Sequence, residues 1–143
     1  MKNFLFLFLI SFFTINGFAS HFIGGEITWE CDTDPLSPNY GKYTFFLTIY
    51  QDCDGIDFSF VSESINVHNH PSLSAINCNF LTTNDISATG VAGTTACYNC
   101  DNQPFGQFGA VKQWLYSSGP IIVTGTPPAS GWHFTWGSCC RSS

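Results

Sequence analysis

Lys42-Tyr43-Thr44-Phe45-Phe46-Leu47-Thr48-Ile49-Tyr50-Gln51 decides the fold class. Tyr43, Phe45, Leu47 and Ile49 fall at alternate positions, and Thr44, Phe46, Thr48 and Tyr50 form a second, less apolar set. A period of two puts one set on each face of a β-strand. Asp54-Gly55 follows. This pair is favoured in two-residue hairpin loops, because both central positions of a type I′ turn need positive φ. Ile56 to Val67 is therefore expected to return beside the first strand.

The same reading extends outward in both directions. Upstream, Phe22 to Glu30 is rich in Ile, Thr and Trp, with Gly24-Gly25 inside it. Paired glycines in a strand mark a bulge or a close backbone approach. Asp32 to Gly41 holds Pro35, Pro38 and Asn39 and reads as a turn region. From His68 to Gly109 the pattern weakens, and Ala75 to Leu81 is the one moderate strand there. Val111 to Ser117, Pro120 to Gly125 and Trp132 to Cys139 read as later strands. Pro127-Pro128 and Gly131 mark the turn before the last of them. No segment carries a helical period with caps, and no internal repeat is visible. The expected architecture is all-β: a disulfide-stapled antiparallel β-sandwich, immunoglobulin-like or jelly-roll-like, with a long irregular middle segment.

Residues 1–19 have a different character. Lys2 precedes the apolar run Phe4 to Phe13, and Gly17-Phe18-Ala19 offers small residues before a cut. This is the plan of a secretory signal peptide. The run is shorter than the roughly 20 residues a membrane-spanning helix needs. The mature chain is expected to start at Ser20, with residues 20–143 as a single β-rich domain outside the cytoplasm. Such a domain buries roughly two-thirds of its unfolded surface.

Composition narrows the partners. Aromatic residues make up 17% of the chain and charged residues only 10%, with a net charge of −6. Past the signal segment the basic residues are Lys42, Lys112 and Arg141. Nucleic acid and anionic lipid need clustered Lys or Arg, so both are poor partners. A neutral sugar or a metal cation suits the balance better.

Cys31, Cys53, Cys78, Cys97, Cys100, Cys139 and Cys140 all lie beyond the signal segment. In an oxidising compartment they are disulfide candidates. Seven is odd, so at least one has no partner within the chain. The chain stops directly behind a strand-like run, which suggests a fragment truncated at its C-terminal end. Cys139 and Cys140 are strand neighbours and point to opposite faces, so each is expected to find a different partner.

Four groups of residues bear on chemistry. Cys97-Tyr98-Asn99-Cys100 has redox spacing but lacks the strand-then-helix setting of a redox motif. His68 and His70 pair with it as a weak zinc set, though Pro71 suggests an exposed turn. Asp52, Asp54 and Asp57 flank Gly55 as a weak calcium set without EF-hand spacing. Trp132, Phe134 and Trp136 share one strand face, either as a carbohydrate platform or as sandwich core. Core is the favoured reading, because no amide or charged cluster stands nearby to orient a sugar. No nucleophile elbow or zinc-protease helix is present, so a secreted hydrolase is the weakest reading. No catalytic residue or cofactor is expected.

Three segments together carry a family resemblance. They are His21-Phe22-Ile23-Gly24-Gly25-Glu26-Ile27-Thr28-Trp29-Glu30-Cys31, then Ile49-Tyr50-Gln51-Asp52-Cys53-Asp54-Gly55-Ile56, then Gly125 to Trp132 running through Phe134-Thr135-Trp136 to Cys139-Cys140-Arg141. In this order they resemble the N-terminal region of large secreted surface proteins of Bacteroidetes, the gliding bacteria. An Arg commonly stands there in place of Gln51. The resemblance implies an extracellular or cell-surface protein. Such proteins are often long arrays of immunoglobulin-like domains, and many end in a gliding-motility-associated region used for type IX secretion. The implied function is a non-catalytic adhesion or structural module that has further domains of the surface protein as partners.

Overall fold

The computed structural model describes residues 22–53, 55, 60–87, 100–101 and 109–137. Among the described residues there are strands and no helix: β1 Phe22–Cys31, β2 Tyr43–Asp52, β3 Ser62–His68, β4 Ala75–Asp85, β5 Val111–Ile121 and β6 His133–Thr135. They form one antiparallel sheet in the order β1-β2-β5-β4-β3-β6. The chain leaves β2, crosses to β3, and returns one strand at a time until β5 lies beside β2. That is Greek-key order, which immunoglobulin-like and jelly-roll-like folds both use.

The alternation in β2 sets the core. Phe45, Leu47 and Ile49 are buried against Ile65 and Val67 of β3, Ile76 and Cys78 of β4, and Trp114 and Tyr116 of β5. The sheet curls until its last strand packs over its first two. Phe134 lies 5.0 Å from Phe45, and Trp136 stacks on Phe22 at 5.1 Å. The expected antiparallel all-β architecture is present, and its two facing layers belong to one continuous ladder.

Gly24-Gly25 fulfils both meanings of a glycine pair. The β1–β2 register shifts between Phe22 and Gly24. A Cβ on Gly25 would lie 2.8 Å from the Thr48 carbonyl oxygen, too close to exist without moving backbone. The expected turn at 32–41 closes the β1–β2 hairpin. The Asp32 N–H donates to the Lys42 carbonyl at 2.9 Å, and Gly41 returns a bond to Asp32 at 2.8 Å.

Three expectations need correction. Asp54-Gly55 does not pair β2 with the strand that follows. A local turn forms, with the Gly55 N–H on the Asp52 carbonyl at 3.0 Å. However, β2 is flanked by β1 and β5, and β3 by β4 and β6. The most apolar strand gains more from two ladder neighbours in the middle of the sheet than from one hairpin partner. The strand expected over Ala75 to Leu81 also runs on to Asp85. Its polar half is held by cross-strand pairing with β5, including a 3.0 Å bond from Asn84 Nδ2 to Gln113 Oε1. Finally, β5 continues through Gly119-Pro120 to Ile121, where a break was expected. Ser118 and Gly119 sit opposite Phe45 as a bulge. Gly119 takes φ +66° there, and Ser118 Oγ accepts the Phe45 N–H at 3.0 Å in place of a ladder carbonyl.

Cys53 is joined to Cys100 with Cα atoms 5.1 Å apart. The bridge ties the end of β2 to the connection between β4 and β5. Cys31 and Cys78, also named as bridge candidates, carry free thiols. Cys78 is a fully buried core residue of β4, so its side chain serves as a small hydrophobe. Cys97, Cys139, Cys140 and the signal segment lie outside the described residues.

Candidate functional site

The curl of the sheet leaves its two end strands facing each other without a ladder between them. Among the described strands, β1 is laddered to β2 alone and β6 to β3 alone. Between these free edges runs an aromatic cleft. One half is a cavity of about 200 Å³ lined by Trp29, Tyr43, Phe45, Val123, Trp132 and Phe134. The other half is about 420 Å³ and lies between Phe22, Gly25, Glu26 and Ile27 of β1 and Phe134, Thr135 and Trp136, with Leu47 at its floor. Phe134 borders both halves.

Pairing explains why these side chains point inward. In an antiparallel ladder, opposed residues share a face. Ile27 opposes buried Leu47, and Trp29 opposes buried Phe45. Trp29 therefore faces the core side, yet it is 60% exposed because no strand lies beyond β1 to cover it.

Trp132, Phe134 and Trp136 divide between the two readings given for them. Phe134 and Trp136 are partly buried and pack on the core. Trp136 also donates from Nε1 to Glu63 Oε2 at 2.9 Å. Trp132 instead lines the cleft with Trp29 and meets the His70 ring at 4.6 Å, tilted by 50°. His70 Nδ1 accepts the N–H groups of Ser72 and Leu73 at 3.2 and 2.8 Å, which places its proton on Nε2. That Nε2 and Trp132 Nε1 are both buried with no hydrogen-bond partner among the described residues.

Of the zinc candidates, His68, His70 and Cys100 are not brought together. His68 Nε2 meets Thr135 Oγ1 at 2.7 Å. Asn69, at φ +66°, turns the chain between His68 and His70, so the two rings do not share a strand face. Cys100 is in the disulfide, and Cys97 lies outside the described residues. Asp52 is buried at the end of β2, while Asp54 and Asp57 lie outside the described residues. Among the described residues no group of three or more His, Cys, Asp or Glu is placed to hold a metal ion.

Sequence reasoning missed two contributors. Gln51 is 1% exposed and its Oε1 accepts Trp114 Nε1–H at 2.9 Å inside the core. Trp29 looked like an ordinary strand residue. Its alternation with Ile27 signals the inward face, but nothing local signals that β1 is an edge.

Models of known protein families, curated proteins and solved structures were compared with the chain, and none matches. No helix among the described residues is long and apolar enough to cross a membrane.

Proposed function

We propose that the chain is a non-catalytic secreted or cell-surface β module. It forms the N-terminal part of a larger surface protein and acts in adhesion by binding a partner in the β1–β6 cleft. The open aromatic cleft carries this reading. Trp29 exposes most of its surface at the mouth, and large aromatic side chains of this kind are the anchors of protein interfaces. The signal-like residues 1–19, the Cys53–Cys100 bridge and the resemblance to Bacteroidetes surface proteins support an extracellular setting. N-terminal sequencing of the exported chain should read Ser20-His21-Phe22. Beads carrying the purified chain should adhere to intact cells of the producing organism. Trp29→Ala beads should adhere much less, with the melting curve little changed because Trp29 is mostly exposed. Equal adhesion by both sets of beads would remove the cleft from the function.

A carbohydrate is the second reading. The two buried donors beside the cavity, Trp132 Nε1 and His70 Nε2, favour a ligand or water that supplies oxygen acceptors. Against it, the residues lining the smaller cavity carry no amide or carboxylate side chain, and a bound sugar must satisfy its hydroxyls. Saturable binding on a glycan array that Trp132→Ala abolishes would promote this reading.

A further inference from the structure

We infer that the cleft accepts an extended peptide strand that adds to the free edge of β1. Its apolar side chains fill the aromatic cleft and its basic side chains face outward. The inference rests on the cleft being the binding surface and names the class of partner.

Three observations lead to it. First, among the described strands the stretch Gly25 to Cys31 of the ten-residue β1 is laddered on one side, to β2. Its other edge presents a row of backbone donors and acceptors. Edges of this length are normally blunted by charged side chains, especially Lys, by Pro, by bulges or by a covering segment. Phe22–Cys31 contains no Lys or Pro, and its charges, Glu26 and Glu30, repel an acidic partner while admitting a basic one. Its register shift lies at the extreme end, between Phe22 and Gly24, and leaves the stretch from Gly25 to Cys31 regular.

Second, the cleft continues the inner face of that edge. A strand hydrogen-bonded to β1 sends every second side chain inward. Those side chains arrive between Ile27 and Trp29 on one side and Trp132, Phe134 and Trp136 on the other. The cleft divides at Phe134 into compartments of about 200 and 420 Å³, each with room for apolar side chains. Main-chain bonds supply affinity and alternate pockets supply selectivity, as in other cases of strand addition.

Third, charge selects the outward positions. The outer face of β1 carries Glu26 and Glu30, and β1 has no basic residue. The whole chain stands at −6. Cross-strand pairs of opposite charge are favourable and like pairs are not. Lys or Arg at the outward positions of the added strand therefore meets carboxylates. The same charge disfavours a second copy of this chain as occupant, since two β1 edges would each bring their own glutamates.

The test uses the exported chain and three ten-residue peptides. One alternates Val and Lys, one alternates Val and Glu, and one has the first composition with its Val residues in a single block. Titration is followed by tryptophan fluorescence, and amide hydrogen exchange is read residue by residue. The Val-Lys peptide should bind saturably and slow exchange along β1. The other two peptides, and the Trp29→Lys variant with the Val-Lys peptide, should bind weaker by about tenfold or more. Trp29 is mostly exposed, so this variant should keep its fold, checked by its melting curve. Four results would overturn the inference: no binding of the Val-Lys peptide, equal binding of the Val-Glu or block peptide, protection on β6 instead of β1, or a dimer that protects β1 without peptide. Rejection of every peptide by a chain whose beads still adhere to cells would remove strand addition and leave the adhesion reading standing.

Discussion

Cys31 and Cys78 show how far position governs one residue type. Both are free thiols, one exposed and one at 0% exposure. Burial removes solvent from the Cys78 thiolate and pushes its pKa up to about 11. The thiolate is the reacting species, so Cys78 should be inert at neutral pH. Iodoacetamide with mass spectrometry should label Cys31 quickly and Cys78 only after denaturant is added. Early labelling of Cys78 would mean that the β4 core opens locally. Trp136 belongs to the same scale. It stacks on Phe22 and donates to Glu63, yet remains partly buried. Trp136→Ala should cost about 2–3 kcal/mol, below the roughly 3–5 of a fully buried aromatic truncation. An unchanged thermal melt would instead assign Trp136 to the binding surface alone.

Among the elements, β1 and β2 were legible because their alternation is strong and their turn is rich in Pro, Asn and Gly. Gly25 carries a sharp consequence. Gly25→Ala places a methyl group against the Thr48 backbone, which cannot rotate away as a side chain would. A loss of about 1–3 kcal/mol in urea unfolding is expected, as for other forced overpacking. Gly24→Ala, one residue earlier, meets nothing within 4 Å and should cost less. The rest of the sheet was less legible for identifiable reasons. Thr82-Thr83-Asn84-Asp85 has no apolar alternation, and only pairing with β5 makes it strand. Gly119-Pro120 reads as a breaker in sequence, while in the sheet it forms a bulge whose missing ladder bond Ser118 supplies. The aromatic set Trp132, Phe134, Trp136 was visible in sequence. The cleft was not, because Trp29 and Trp132 come to line it only after the Greek-key crossover brings β6 over β1.

At the scale of the whole molecule, the Cys53–Cys100 bridge ties together two parts of the chain far apart in sequence. It closes a loop with a sequence separation of 47, in which β3 and β4 lie. Chain entropy assigns such a closure about 4 kcal/mol, most of it by limiting the unfolded chain. The folded side is held separately. Asp85 accepts bonds from the Ser87 hydroxyl, the Cys100 N–H and the Ser87 N–H, and these depress its pKa. A depressed carboxylate stabilises the fold fully above its unfolded pKa. That contribution fades as the pH falls through its lower folded value. The bridge itself does not titrate. Replacing both cysteines by Ala should therefore lower stability by about 2–4 kcal/mol at neutral pH, measured by urea unfolding. The near-UV spectrum should stay native, because the β2–β5 and β4–β5 ladders do not depend on the bridge. The urea slope should rise as well, since an unbridged unfolded chain exposes more surface. Asp85→Asn with the bridge intact should remove the Asp85 share of the acid sensitivity without changing that slope. If the double-Ala variant instead kept its slope and lost its near-UV spectrum, the bridge would be shaping the folded sheet and the entropic account would fail.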